Sequence, residues 1–399
     1  MKKLHLTHRA TCLAGYIGYV TQAIMINFMP LLYVTLREEY GLTLGEISGL
    51  IIANFVSQLT ADLIAAKIGD RISMRAMLLF THLCASVGLC SIGILPQILP
   101  SPYLALLIAE IICGFAGGFT EVLISPLLEA CPTSEKASEM SLLHSFYCWG
   151  QAAVIAFSTV FFMTVGIEYW RILPFLWAIV PFLGFLLFTC VPIYTLIEEP
   201  DRKPLRTLFS SARFWLFILM MLCAGASEMI MSQWSSSFCE VALGVSKSLG
   251  DLLGPCMFAL MMGISRLLYA KISTRISPNL IYSVACILCI GAYLLLLLPL
   301  PPLLSLLGCG ICGLAVGPFW PGTLSRASAS IPSGGVSMFA LLAVAGDMGC
   351  LIAPSMAGWV AELSGGTLKA AFLFAIIFPS TMLAAVLLTR ITNKRPSKQ

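Results

Sequence analysis

The sequence of 399 residues is 59% hydrophobic and only 11% charged, with a formal net charge of +4 at pH 7. A water-soluble domain needs a more polar surface than this, so the composition excludes a soluble protein and indicates lipid as the outer solvent. The basic residues are dispersed over short loops, and we therefore expect no nucleic-acid partner.

Apolar stretches recur along the whole chain, each long enough to cross a hydrocarbon layer of roughly 30 Å as a helix. Runs such as Leu294–Leu298 are apolar on all sides, whereas strands of a membrane barrel alternate polar and apolar residues. The predicted fold class is therefore an all-α integral membrane protein with twelve transmembrane helices. In chain order the predicted spans are 10–35, 46–66, 76–98, 103–130, 141–165, 172–196, 214–240, 249–272, 279–298, 303–330, 334–358 and 370–391.

The basic residues lie mainly on one side of this predicted topology. Arg37, Arg171, Lys247 and Lys369 fall on one face and Arg266 falls within a span, while the other 18 of the 23 basic residues share the face with both termini. Because short cytoplasmic loops of membrane proteins carry an excess of Lys and Arg, we expect both termini to be cytoplasmic. The expected location is the plasma membrane, with the lipid bilayer as a partner.

The two halves of the chain are related by an internal repeat. Ala66–Ser73 matches Ala270–Ser277 at six of eight positions, 204 residues later. Cys113–Gly118 resembles Cys312–Gly317 at an offset of 199 residues. Leu44–Glu46 also resembles Leu249–Asp251, at an offset of 205 residues. Three matches in order near half the chain length indicate two bundles of six helices. The predicted division is an N-terminal bundle, a cytoplasmic linker and a C-terminal bundle at 1–196, 197–213 and 214–399.

The loop after the second span carries a recognisable motif. From Ala66 to Arg75 it reads A-K-I-G-D-R-I-S-M-R, which resembles the hallmark loop of the major facilitator superfamily. The resemblance implies two pseudo-symmetric six-helix bundles and secondary transport. It also implies that Asp70, Arg71 and Arg75 help to latch the two halves together in the outward-facing state.

Span 4 adds a narrower resemblance. Gly114–Pro126 reads G-F-A-G-G-F-T-E-V-L-I-S-P and is similar to the fucose-permease-like branch of the superfamily, as is Leu142–Phe146 at the start of span 5. In that branch a glutamate of span 4 takes part in proton coupling, which implies this role for Glu121. The branch also has an acidic residue in span 1, where this chain offers only Gln22 and Asn27.

Span 5 bears on the direction of transport. Tyr147–Ala153 lacks the G-x-x-x-G-P-x-x-G element that drug exporters of the superfamily usually carry. Uptake is favoured on this ground, and a drug or metabolite exporter remains the alternative.

Charged groups inside a bilayer cost about 3 kcal/mol each on the insertion scale, so each one is a functional hypothesis. Glu121 follows a surface of glycines that permits close helix contact, and a carboxylate removed from water there is expected to bind and release protons as solvent access alternates. Asp347, between small residues of span 11 and before Pro354, is expected to bind a proton or cation or to pair with Arg266.

Other charged groups have plainer interpretations. Asp62 and Arg266 lie near the cytoplasmic ends of spans 2 and 8, where they are expected to act in the latch. His82 is expected to be a hydrogen-bonded packing residue. For Glu110, a structural role and a role in the pathway are equally favoured.

The strongest polar cluster lies in span 7. Glu228 and Ser232 are four residues apart and share one helical face, with Gln233 and Trp234 following. An aromatic ring beside amide and hydroxyl groups suits a sugar or polyol, although Trp234 would also suit a membrane interface. Further expected substrate-binding residues are Gln22, Asn27, His144, Trp149 and Trp320.

These observations predict a monomeric secondary transporter that carries a small polar solute by alternating access. Symport with H⁺ as the coupling ion is expected, and a uniporter is the alternative. We expect no enzyme activity, cofactor or metal, because the sequence has no metal-spaced histidine cluster, no phosphate-binding glycine loop with a lysine, and no Ser/His/Asp set. The alternative from another class is a membrane receptor or a membrane-embedded enzyme.

Overall fold

The computed structural model describes residues 7–68, 72–194, 205–244, 250, 252–299, 301–331, 334–365 and 367–393. Regular secondary structure in these ranges is helical, with no strand among them. The predicted all-α class is confirmed.

Twelve helical segments in the described ranges are long and apolar enough to cross a membrane, and each overlaps one predicted span. We number them as spans 1 to 12: His8–Leu32, Gly49–Lys67, Met74–Ile98, Pro102–Ala130, Lys136–Thr164, Ile172–Cys190, Ala212–Ser235, Leu252–Ile272, Pro278–Leu297, Leu304–Ser330, Gly335–Leu363 and Leu368–Leu388. The helices of spans 2 and 7 extend beyond these limits, over Leu44–Ile68 and Ala212–Leu243.

Four spans are not single regular α-helices. Proline accounts for several of the interruptions, because it has no backbone N–H to donate and its ring crowds the preceding turn. The segments are His8–Asn27 with the 3₁₀ turn Met29–Leu32 in span 1, the π turn Leu252–Cys256 with Met257–Ile272 in span 8, Pro302–Val316 with Phe319–Ser330 in span 10, and Leu368–Ala375 with Ile377–Asn393 in span 12.

Short helices lie outside the spans. Tyr33–Tyr40 follows span 1 and ends at Gly41, whose φ of 67° is left-handed and therefore favours glycine. Ile167–Tyr169 forms a 3₁₀ turn before span 6, and Leu205–Phe209 precedes span 7.

Large apolar side chains cover the outside of the spans. Phe80, Phe157, Ile287 and Trp359 each expose half or more of their surface. Apolar exposure along so many helices would be unfavourable in water and suits a lipid surrounding. The chain is a multi-pass membrane protein.

The chain divides into two compact units. The first holds residues 1–134, 146–202 and 333–341, and the second holds 135–145, 203–332 and 342–399. The predicted boundaries at 196 and 214 stay a prediction, and residues 197–204 of the predicted linker lie outside the described ranges.

Span 4 is the central helix of the first unit. It packs against spans 1, 2 and 3, and span 3 also packs against span 6. Gly114 and Gly118 allow the close contact with span 2: a Cβ atom added to Gly118 would lie 2.6 Å from the carbonyl oxygen of Gln58. Any larger residue at these positions would push the two helices apart.

Span 10 has the same place in the second unit. It packs against spans 7, 8 and 9, and span 9 packs against span 12. Gly313 and Gly317 lie against span 8, and a Cβ atom added to Gly317 would lie 2.6 Å from the side chain of Ser265. The glycines matched in the sequence repeat therefore make equivalent helix contacts, as two pseudo-symmetric six-helix bundles require.

The starts of spans 5 and 11 are exchanged between the units. In the second unit, the Ser141 hydroxyl donates to the carbonyl oxygen of Arg266 at 2.6 Å. In the first unit, the Ser337 hydroxyl donates to the carbonyl oxygen of Ala66 at 2.8 Å. Each span thus begins in the unit formed mainly by the other half of the sequence.

Candidate functional site

A buried carboxyl group held by amides lies inside the first unit. Glu121 of span 4 is 5% exposed, and its Oε2 atom accepts a hydrogen bond from Nε2 of Gln22 in span 1. Nε2 of Gln58 in span 2 lies 3.5 Å from the same oxygen. The Gly118 contact brings Gln58 within reach, because it lets the backbones of spans 2 and 4 approach closely.

The structure therefore joins two residues that the sequence predicts for different roles, Glu121 for the proton and Gln22 for the solute. Gln58 was missed. The available signal was an amide within an apolar span, because a buried amide needs hydrogen-bond partners.

Aromatic and polar side chains of spans 1 and 5 also meet in this unit. Asn27 is half-buried and its Nδ2 atom lies 3.5 Å from the Tyr147 hydroxyl. The rings of Tyr16 and Phe146 stack with their centroids 4.4 Å apart. Trp149, on the same stretch of span 5, is half-buried.

A second buried carboxyl group lies on span 4. Glu110 is 2% exposed, and its Oε2 atom accepts a hydrogen bond of 2.7 Å from Nδ2 of Asn54. Asn54 and Gln58 are four residues apart on span 2, so they lie on one face of that helix. The two amides of span 2 thus meet the two carboxyl groups of span 4.

Two of the predicted latch residues, Asp62 and Arg75, make different contacts within the first unit. Asp62 is fully buried in span 2, near Gly118. Arg75 donates hydrogen bonds of 2.6 to 3.1 Å to the carbonyl oxygens of residues 188, 189 and 191, at the end of span 6. A cation at a helix C-terminus satisfies its free carbonyls and interacts favourably with the helix dipole. Asp70 and Arg71 lie outside the described residues.

The second unit contains a buried ion pair. Nη2 of Arg266 in span 8 lies 3.0 Å from Oε2 of Glu228 in span 7, and Arg266 is only 2% exposed. Its Nε atom donates to the carbonyl oxygen of Gly317 at 3.1 Å, and Nη1 donates to that of His144 at 2.8 Å. One guanidinium group thus joins span 7, span 10 and the start of span 5. Sequence reasoning selected Arg266 and Glu228 separately and did not pair them.

Trp234 packs against span 11. Its indole N–H donates to the carbonyl oxygen of Pro354 at 3.1 Å, so this donor is already used within the protein. The neighbouring Gln233 side chain is exposed.

Trp320 of span 10 contacts span 11 next to Asp347 in the second unit. The Trp320 ring packs directly on Gly346, which leaves no room for a Cβ atom there. Asp347, the next residue, is 3% exposed. Glycine at 346 is required because the indole takes the space of a side chain.

His82 fits the expected packing role. Its Nδ1 atom lies 2.9 Å from the carbonyl oxygen of Leu78, and its ring tilts against Phe188 with centroids 4.9 Å apart. A Cβ atom added to Gly184 would lie 2.9 Å from its Nε2 atom. The imidazole therefore fills the space between spans 3 and 6.

A polar contact outside the spans was also not predicted from the sequence. Glu39 pairs with Arg171 and accepts a hydrogen bond of 2.8 Å from the indole of Trp170. The Arg171 guanidinium also donates to the hydroxyl of Tyr40 at 3.0 Å, and burial raises the pKa of that phenol above its ordinary value. These contacts tie the helix after span 1 to the turn before span 6.

Comparison with known proteins agrees with this architecture. The family model of the Major Facilitator Superfamily matches residues 13–338. The proton:xylose symporter XylE, bound to 6-bromo-6-deoxy-D-glucose, is 11% identical with a TM-score of 0.83, over 96% of this chain and 95% of that chain. The transporter FucP in the outward conformation is 12% identical with a TM-score of 0.75, over 96% and 99% of the two chains. A variant of the Escherichia coli fucose:proton symporter FucP is 12% identical with a TM-score of 0.74, over 96% and 98%.

Proposed function

The chain belongs to the major facilitator superfamily and is a transporter, and we propose that it carries a small polar solute of the sugar or polyol class together with a proton. The observation that supports this best is the contact of Glu121 with Gln22. Transport would proceed by alternating access around the buried polar groups.

Gln22 has the two functions that a coupling residue needs. Its N–H group is bound to Glu121, while its Oε1 atom is buried without a hydrogen-bond partner among the described residues. A buried acceptor without a partner is costly, and a solute hydroxyl would satisfy it. The amide would thus contact the proton-binding group on one side and the solute on the other.

Protonation of Glu121 would change what its amides bind. An ionised carboxylate accepts the N–H groups of Gln22 and Gln58 strongly, because charge-assisted hydrogen bonds are about twice as strong as neutral ones. When a proton neutralises Glu121, both amides bind it less tightly and become available to solute hydroxyls. Proton binding would therefore favour solute binding, which is the linkage that symport requires.

The solute class is supported by the similar structures. XylE is a proton:xylose symporter and FucP is a fucose:proton symporter, and both share the fold of this chain. Hydroxyl-rich solutes also suit the Asn27 amide, which lies 3.5 Å from the Tyr147 hydroxyl.

The other residues predicted from the sequence keep their proposed roles, and they come from both units. Asp347 is proposed as a second coupling residue. Asp62, Asp70, Arg71, Arg75 and Arg266 are proposed for the latch. The remaining proposed substrate-binding residues are Asn27, His144, Trp149, Glu228, Gln233, Trp234 and Trp320. A monomer in the plasma membrane with both termini cytoplasmic completes the proposal.

The experiment begins with a thermal-shift screen of the purified protein against sugars, polyols, amino acids and nucleosides. The best solute is then tested for uptake into proteoliposomes with a pH-sensitive dye inside. Solute uptake should acidify the interior, and Glu121→Gln should abolish that acidification.

Glu38→Gln is the matched control, because it removes an exposed carboxyl group. Its proton flux should equal that of the wild type. Unchanged proton flux in Glu121→Gln would remove Glu121 from the mechanism, and a best ligand outside the sugars and polyols would overturn the solute class.

A further inference from the structure

Glu110 is a buried carboxyl group that the proposed coupling through Glu121 does not use. It lies eleven residues before Glu121 on span 4, which is about three turns of helix and about 16 Å along the axis. The two side chains therefore lie on the same face of one helix.

The hydrogen bonds of Glu110 suit a neutral carboxyl group. Its Oε2 atom accepts from Asn54, while its Oε1 atom is buried and has no partner among the residues that the structure describes. An ionised carboxylate with one neutral donor would be far more costly to bury than a protonated one. A proton on Oε1 leaves Oε2 as the carbonyl acceptor that Asn54 needs.

Within the described part of the chain, the titratable groups that interact with Glu110 include no cation. These groups are Tyr33, just after span 1, and Cys113, one turn along span 4. Burial and the nearby Glu110 carboxyl raise the pKa of the Tyr33 phenol well above its ordinary value, so this neighbour stays neutral. In contrast, Glu228 in the second unit has its charge balanced by Arg266.

We propose that Glu110 is a further proton-binding site, distinct from Glu121 and Asp347, which takes up and releases a proton as water reaches the Pro102 end of span 4. Asn54 positions the carboxyl group in both states, because its N–H group donates to a carbonyl and to a carboxylate oxygen alike. The link to transport rests on the function proposed above, whereas proton binding by Glu110 does not.

The test is pH-difference infrared spectroscopy of the purified full-length protein, which needs no solute. A protonated carboxyl group has a C=O stretching band separate from the amide bands. The wild type should show such a band that disappears at alkaline pH, and Glu110→Gln should lack it. Asn54→Leu should keep the band but shift its frequency, because the carbonyl loses its donor.

Glu121→Gln serves as the matched variant on the same helix and should keep the Glu110 band. Glu110→Asp guards against misfolding of the Gln variant, since it keeps a carboxyl group and should show a shifted band. Identical spectra for wild type and Glu110→Gln would overturn the proposal. Loss of the band in both Glu110→Gln and Glu121→Gln would also overturn it, because the two groups would not be distinct sites. Proton flux in Glu121→Gln proteoliposomes decides the proposed function separately.

Discussion

The two units contain buried glutamates with different kinds of partner. Glu121 in the first unit is held by the neutral amides of Gln22 and Gln58, whereas Glu228 in the second is held by the guanidinium of Arg266. Amides bind a carboxyl group in either protonation state, but a buried guanidinium needs the negative charge. The first arrangement permits a change of charge, and the second fixes it.

The largest expected loss of stability follows from breaking the ion pair of Arg266 and Glu228. Arg266→Ala would leave Glu228 as a buried charge without its cation and should lower the free energy of unfolding by about 3–5 kcal/mol. Thermal unfolding in detergent measures this loss. Arg206→Ala, at an exposed arginine, is the control. Equal melting temperatures for the two variants would mean that the pair contributes nothing.

A direct comparison comes from removing each carboxylate charge in turn. Glu228→Gln should cost about 1.5–3 kcal/mol, because it loses a hydrogen bond between charged groups. Glu121→Gln should cost less than about 1 kcal/mol, since its new carbonyl oxygen still accepts from an amide. Chemical unfolding of both variants tests the difference, and the reverse order would refute the proposed distinction.

The glycine contacts should behave alike in the two units even though the charges differ. Gly118→Ala and Gly317→Ala should each cost about 1–3 kcal/mol, because the new methyl group overlaps span 2 or span 8. Gly291→Ala is the control in span 9, where the added Cβ atom meets nothing within 4 Å. This control should gain roughly 0.5–1 kcal/mol from helix propensity. A loss in only one of the two units would contradict the structural equivalence of the repeat.

The smallest effect is expected where an ion pair is partly exposed to solvent. Arg171→Ala should cost only about 0.2–1 kcal/mol, because its contact with Glu39 is hydrated and screened. Thermal unfolding at low and high salt measures it, and the wild-type advantage should shrink at high salt. A salt-independent loss as large as that of Arg266→Ala would show that burial is not what distinguishes the two pairs.

Much of the fold could be predicted because the bilayer imposes simple constraints. Spans must be apolar and about twenty residues long, so hydropathy alone predicted twelve helices. The repeat then related Gly118 to Gly317, and both proved to lie at close helix contacts. Residues buried in apolar spans despite their charge, such as Glu121 and Glu228, could be selected because that burial is costly.

Which of these groups meet was decided only by the tertiary structure. Gln22 and Glu121 are 99 residues apart in sequence, and Arg266 and Glu228 are 38 apart. Hydropathy predicts that a helix crosses the membrane. It determines neither how that helix is rotated about its axis nor which helices are its neighbours. Packing sets both, through contacts such as that of Gly118 in span 4 with span 2. The partner of each buried carboxyl group therefore follows from the fold.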